Sequence, residues 1–507
     1  MTLFYSNCPD SVTKTNTKCP DFITRINGNC LDFITKYRYN CLDSVTKEVN
    51  MAFLRNIYKG LEEWKNNDTH KPLVIRGARQ VGKTTVIREF GKSFDTFIQL
   101  NLEKSSDRKF FTDELNPNIT FQRICLEKKI EPKGKTLIFL DEIQNSSQAI
   151  ALLRYFYEEM SELYVIAAGS LLEILMEKHK ISFPVGRVEY LYLFPMTFKE
   201  FLLAAEETQA LELLEEVPVK NWAIPTLSKL YKTYALVGGM PEAVAKFIET
   251  KDITKVSAVY RNLFTSYIDD VAKYASNKTE EQILTQFIEA APKETGKRIT
   301  FERFANTGYR SRDAGEALRK LQRAMLIYLR YPTTDLLLPL QTDTKRKPRL
   351  QFLDTGLINF STGIQGTYFT EEPIDTMYNG MIAEQLTGQE LLASTFYEMK
   401  PPLFWVREET RSNAELDFII IENSKIIPVE VKSGKTGSLR SLHSYIDKTG
   451  TELAVRLYSG EFSVEKAVTP MGKNSYTLIN LPLFLASMIG DYVRLVEKTN
   501  VVPLPLH

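Results

Sequence analysis

The stretch that most constrains this chain is KPLVIRGARQVGKTTVIREFG, residues 71–91. An apolar run is followed by Gly77-Ala78-Arg79-Gln80-Val81-Gly82-Lys83-Thr84 and then a helix-like segment that begins with Thr85. This is the G-x-x-x-x-G-K-[ST] pattern in the context it requires, strand before and helix after. Its glycines let the backbone curl so that successive N–H groups point at a polyphosphate, and the following helix N-terminus adds partial positive charge. Residues 77–85 are therefore expected to bind ATP. Lys83 would reach the outer phosphates, and the Thr84 hydroxyl would ligate Mg²⁺.

With 507 residues the chain exceeds one core, and its 43% apolar and 25% charged residues are ordinary for a globular protein. A net charge of +1 gives no global pull toward nucleic acid or membrane, so DNA contact would need a local patch. The start lacks a basic region followed by an apolar core, and no apolar run is long enough to span a bilayer. The expectation is a cytoplasmic protein without membrane contact. The four histidines, His70, His179, His443 and His507, form no ligand pattern, and no Ser-His-Asp set stands out.

Cys8, Cys19, Cys30 and Cys41 recur every eleven residues in the repeat CPDSVTKTNTK, CPDFITRINGN, CLDFITKYRYN, CLDSVTKEVNM. Zinc sites bring thiolates in close pairs, and none exists here. The preferred reading of 1–50 is a disordered extension, with Met51 as the functional start. Cys125 reads as a small core residue.

From Met51 the pattern alternates strands and helices, which argues a parallel sheet covered on both faces, with ligands at the strand C-terminal ends. TLIFLDEIQ is a buried-strand pattern ending in two acids. Asp141 is assigned to the Mg²⁺ shell and Glu142 to the attacking water, which it would orient and deprotonate. YVIAAGS is a further buried strand. Ser170 at its end either senses the γ-phosphate or caps the next helix.

GARQVGKTT, FLDEIQ, AAGSLLEI, PVGRVEYLYLFPMTFKEF and YALVGGMPEAV together resemble the bacterial and archaeal AAA+-type ATPases of uncharacterised role, whose C-terminal half belongs to a domain family of unknown function. The resemblance runs from Met51 to Gly434. It implies an ATPase domain over 51–200, a helical lid over 201–292, and a trans-acting or sensor role for Arg187 in an oligomer of the chain. An ordinary surface arginine is the competing reading.

Residues 297–332 read as short helix, turn, longer helix and strand, matching a winged helix-turn-helix over 293–345. Arg310, Arg312, Arg319, Lys320 and Arg323 would make it basic, and TKRKPR would be a wing. The same fold also serves as packing alone. Over 346–490, a helix carrying Glu384 precedes two strands, the first ending at Glu415-Leu416-Asp417 and the second at Glu430-Val431-Lys432. Asp…Glu-x-Lys on adjacent strands resembles the PD-(D/E)xK nuclease core. There Glu384, Asp417 and Glu430 would hold a second divalent metal, and Lys432 would position water.

The expected fold is thus an α/β P-loop NTPase sheet with helical lid, winged helix and α/β nuclease-like domain. Two functions follow: an ATP-driven DNA-processing enzyme, or a nucleotide-controlled binding switch whose nuclease-like domain is inert.

Overall fold

Five strands, β1 (Leu73–Arg76), β2 (Thr96–Asn101), β3 (Thr136–Asp141), β4 (Tyr164–Ala168) and β5 (Glu189–Tyr192), form a parallel sheet in the order β2–β3–β4–β1–β5. The computed structural model describes residues 53–113, 115–169, 172, 183–364, 376–407, 414–470, 472 and 474–499. The cysteine repeats and Ser170 lie outside these residues.

Every residue of β3 and β4 is buried, as in a sheet covered on both faces. Helix α1 (Ile57–Lys65) packs against β5 and α2 (Lys83–Gly91). Helices α3 (Pro117–Lys128) and α4 (Ser147–Glu159) pack together and add Ile124, Leu152, Leu153 and Phe156 to the core of Ile98, Leu100, Ile138 and Val165. Their starts are set locally: Asn116 and Ser146 accept backbone N–H groups at the respective N-termini. Cys125 is partly buried against this core.

A helical region follows. Helix α5 (Phe198–Ala204) opens with a capping box of Thr197 and Glu200. Helices α6 (Thr208–Glu215), α7 (Ile224–Val237), α8 (Pro241–Thr250) and the long α9 (Ile253–Tyr274) come next. The break between α7 and α8 has a steric cause. Gly238 has φ +78°, a Cβ on Gly239 would stand 2.2 Å from the Met196 carbonyl oxygen, and Pro241 opens α8.

Helix α10 (Lys278–Ala290) and α11 (Ser311–Arg323) pack side by side. Antiparallel strands β6 (Ile327–Arg330) and β8 (Arg349–Phe352) follow α11, with a bridge from Arg349 to Arg298. Between them β7 (Pro332–Thr333) joins a different, seven-stranded sheet. The basic surface expected of α11 is smaller than its sequence suggests. Arg310, Arg312 and Arg319 are exposed, but Asp313 and Glu316 alternate with them, and Lys320 is buried against Glu280 on α10.

After α12 (Thr355–Thr362) and α13 (Thr376–Ala393) come β9 (Leu403–Val406), β10 (Glu415–Glu422) and β11 (Lys425–Val431) in an antiparallel run. Helix α14 (Arg440–Thr449) crosses to β12 (Leu453–Tyr458), parallel to β11, and β13 (Ser463–Val468), β14 (Ser475–Pro482) and α15 (Ile489–Thr499) complete the domain. The expected end of β10 is its beginning. Glu415-Leu416-Asp417 opens the strand, and the apolar FIII run carries it on to a turn at Asn423-Ser424, both at positive φ as two-residue hairpin turns require. Among the described residues no helix is long and apolar enough to cross a membrane.

Candidate functional site

The phosphate-loop sequence connects the end of β1 to α2, and its shape is fixed from behind. A Cβ on Gly77 would stand 2.4 Å from the Leu193 carbonyl oxygen, so only glycine lets the chain pass there. Gly82, at φ +99°, precedes α2 without a side-chain cap, so the first N–H groups of the helix are left to a ligand. Buried Arg55 donates to the Val81 carbonyl at 2.9 Å and to the Phe194 carbonyl at 2.6 Å, and its Nε lies 3.1 Å from Glu200. From the other side Arg79 pairs with buried Asp270 on α9, and Tyr267 donates to the Arg79 carbonyl at 3.4 Å. Gln80 takes positive φ, and Ala78 and Val81 are buried.

Lys83 is 8% exposed, and its ammonium donates to the Gly77 and Ala78 carbonyls at 2.8 Å each. Burial pulls its pKa down to about 8, against the attraction of Glu142 and Asp141. The Thr84 hydroxyl lies 3.1 and 3.3 Å from the two Asp141 carboxylate oxygens, and Gln99 donates to one of them at 3.4 Å. Burial and neighbouring Glu142 raise the Asp141 pKa. A hydroxyl beside a carboxylate is a hard-oxygen set suited to a hydrated Mg²⁺, and the uncapped helix start with Lys83 suits phosphates. Thr85 follows in the first turn of α2.

Strand β4 separates β1 from β3, which places Asp141 and Glu142 at the sheet's C-terminal edge, one strand away from the loop. Glu142 has left the strand, at φ +53° and ψ +46°. Gln144, two residues on, donates its side-chain amide to the Glu142 carboxylate. Sequence reasoning missed Gln144, although it stands within FLDEIQ. It also missed Arg55 and Asp270, for which no local signal exists.

Arg187 lies elsewhere. Because Leu73 pairs with Glu189 in parallel register, Arg187 sits at the end of the sheet where β1 starts, whereas the phosphate loop leaves where β1 ends. Its guanidinium bonds Glu158 on α4 at 2.8 Å and stands over the Tyr157 ring. Within one chain, Arg187 and the phosphate loop thus lie at opposite ends of β1.

The C-terminal acids do come together, but around a guanidinium. Arg349, on β8, reaches Glu384 at 2.7 Å, Glu415 at 2.9 Å and Asp417 at 3.2 Å. Arg330, on β6, reaches Glu384 at 3.2 Å, and Arg298 reaches Glu415 at 2.7 Å. A bulge in β10 between Leu416 and Ile419 interrupts the ladder, and the second Asp417 oxygen accepts the Val431 N–H at 2.9 Å. Glu430 is buried and pairs with Lys432 at 2.6 Å; burial, with Asp417 nearby, pushes its pKa up to about 7. Burial likewise raises Glu384. Among the described residues no cluster of three or more acidic, histidine or cysteine side chains is arranged to hold a metal ion. Glu384 and Asp417, two of the acids expected to hold a second divalent metal, are answered here by arginines, which a sequence scan for acids does not see.

Three family models match consecutive parts of the chain: an AAA domain over residues 69–202, a domain of unknown function, DUF8612, over 228–368, and another, DUF4143, over 379–483. The uncharacterised protein MJ1637 of Methanocaldococcus jannaschii is 24% identical over 265 residues, 49% of this chain and 54% of the relative. The chain thus spans about half the length of this curated relative. Among solved structures, the Walker-type ATPase PABY2304 of Pyrococcus abyssi superposes over 63% of this chain and 99% of its own, at 14% identity and a TM-score of 0.40. The Aeropyrum pernix Orc1 protein, solved in complex with DNA, covers 62% and 93% at 13% identity and a TM-score of 0.27. Both likenesses are distant.

Proposed function

We propose that the AAA-type domain of this chain binds ATP with Mg²⁺ at residues 77–85 and hydrolyses it. The observation that carries this reading is the meeting of Lys83, Thr84, Asp141 and Glu142 at one sheet edge. Backbone N–H groups of the loop and the start of α2 would hold the phosphates, with Lys83 swinging from the Gly77 and Ala78 carbonyls to the outer ones. Thr84 and Asp141 would hold Mg²⁺, which neutralises charge on the phosphates when bound. Glu142 would take a proton from the attacking water. Arg187 would serve only across an interface between copies of the chain, and Ser170 remains a candidate γ-phosphate contact. Lys83→Ala should weaken ATP binding in calorimetry, whereas Glu142→Gln should retain binding and lose about 100-fold or more in turnover. Equal loss of binding in both variants would remove Glu142 from the hydrolytic step.

For the C-terminal part, the arginine-filled carboxylate cluster favours the binding switch over the nuclease. In this reading residues 293–345, with the short turn at Phe304–Asn306, α11 and β6, form a winged-helix module whose exposed Arg310, Arg312 and Arg319 would meet DNA phosphates. The PD-(D/E)xK-like sheet, with Asp417, Glu430 and Lys432 in nuclease order, is structural. Arg349→Met would leave Asp417 without an arginine and Glu384 and Glu415 with one each, at a cost of about 3 kcal/mol. The variant should melt lower than the wild type and regain stability with Mn²⁺, while the wild type is indifferent to Mn²⁺. Plasmid nicking by the wild type that Asp417→Ala abolishes would restore the nuclease.

A further inference from the structure

We infer that Gln144 is a second member of the hydrolytic machinery, aiming the Glu142 carboxylate and seating the attacking water beside it. This inference rests on the proposed role of Glu142.

Three observations converge on Gln144. Its amide nitrogen donates to Glu142 Oε2, across a turn that has thrown Glu142 into the left-handed region at φ +53°. A non-glycine residue keeps that conformation only when its surroundings hold it. The other end of the same amide, Oε1, is buried, and among the described residues no group donates to it. Buried acceptors are ordinarily satisfied, so a donor belongs there in the working site. Finally, Oε1 lies against Gly169, at the C-terminal end of β4 in the gap between β1 and β3. A Cβ on Gly169 would stand 2.0 Å from it, so this glycine leaves the room that the amide fills.

Oε1 is closed off against Gly169 as the site stands, so the amide would first turn out toward the nucleotide; a water between Glu142 and Oε1 would then donate one hydrogen to each, leaving an oxygen lone pair for the phosphate. In hydrolysis that oxygen bonds to the γ-phosphorus. The bond from the γ-phosphorus to the bridging oxygen breaks, its electron pair leaving on ADP, and the proton held by Glu142 passes to its carboxylate. Gln144 keeps its protons throughout. Its contribution is orientation, through one donated and one accepted hydrogen bond.

The test uses the full chain and steady-state ATP hydrolysis. Gln144→Ala should lower kcat about tenfold or more while the KM and Kd for ATP stay within about twofold. Gln144→Glu, which keeps an acceptor but loses the donor, should fall at least as far, and Gln144→Asn should retain part of the rate. Gly169→Ala displaces the amide without deleting it and should lower kcat as well. Added to Gln144→Ala, however, it should cost nothing more, since both act through one group. Wild-type turnover in Gln144→Ala, beside an inactive Glu142→Gln, would overturn the inference and leave the ATPase reading standing. Loss of ATP affinity and melting temperature together in Gln144→Ala would also overturn it, as a structural role. Full activity in Glu142→Gln would instead strike the reading on which the inference rests.

Discussion

Two buried carboxylates, Asp354 and Glu390, are held by backbone N–H groups and tyrosine hydroxyls. Asp354 accepts from Gly239, Gly356 and Tyr260, and Glu390 accepts from the Phe198 N–H at 2.8 Å and the Tyr234 hydroxyl at 2.9 Å. Burial pushes Asp354 up to about 6 and Glu390 up to about 7. An acid whose folded pKa lies above its unfolded value binds more protons when folded. Its ionisation therefore costs stability as pH rises through that window, here from about 4 to 7. Glu390→Gln keeps the accepting Oε1 and removes the charge. Its melting temperature should exceed the wild type's at pH 8, by a stability gain of at most about 3 kcal/mol, and meet it near pH 5. Parallel melting curves across that range would refute this. What the sequence could tell at this scale was limited by distance along the chain. Lys83 and Thr84 stand at the start of α2, and Asp141 and Glu142 at the end of β3, in a spacing that local patterns reveal. The partners of Arg55, Arg79 and Glu384 are scattered up to 191 residues away, and no period or motif announces them.

At the scale of elements, α9 links the phosphate loop to the rest of the chain. Near its end Asp270 and Tyr267 hold Arg79, and two turns earlier Tyr260 donates to the Val237 carbonyl and to Asp354 at 3.3 Å. The helix falls within the helical region over 201–292 that the resemblance implies. Its task was not legible, because Asp269-Asp270 reads as solvated charge until the fold buries Asp270 against Arg79. A similar misreading affected Lys320, whose place beside the apolar face of α11 at Ala317 and Leu321 sends it inward to Glu280. If α9 holds the loop in its phosphate-ready shape, Asp270→Asn should raise the Kd for ATP by about threefold to tenfold, the effect of losing roughly 1 kcal/mol of preorganisation. Lys273→Ala, which removes only the exposed partner of Asp270, should leave it unchanged. Unchanged affinity in Asp270→Asn would make α9 a bystander.

At the scale of the whole molecule, the alternation of strands and helices announced the first sheet, while the way the chain closes on itself was hidden. Family models divide it at 202–228 and 368–379, yet the packing ignores both divisions. One apolar cluster joins Met196, Phe198 and Phe201 from the end of the segment that the AAA model matches, Tyr231, Tyr234 and Val244 from the helical region, and Leu386, Phe418, Ile479 and Tyr492 from the C-terminal sheet and its helices. Polar ties follow the same route: Tyr492 accepts from the Val219 N–H at 2.9 Å, and Tyr192 donates its N–H to the Phe396 carbonyl at 2.7 Å. Fully burying one large apolar side chain contributes about 1.5–3 kcal/mol, so uncovering four or five of them costs about 6–15 kcal/mol, as much as the roughly 5–15 kcal/mol by which a domain is stable. The chain from Ala52 should therefore unfold in a single calorimetric transition, with intrinsic tryptophan fluorescence and circular dichroism changing together. A chain cut after residue 368 should lose its cooperative transition and its ATP turnover, even though every residue of the phosphate loop remains. A truncated chain that melts at the wild-type temperature and still turns over ATP would show the shared core to be dispensable, and the three matched segments to be independent domains.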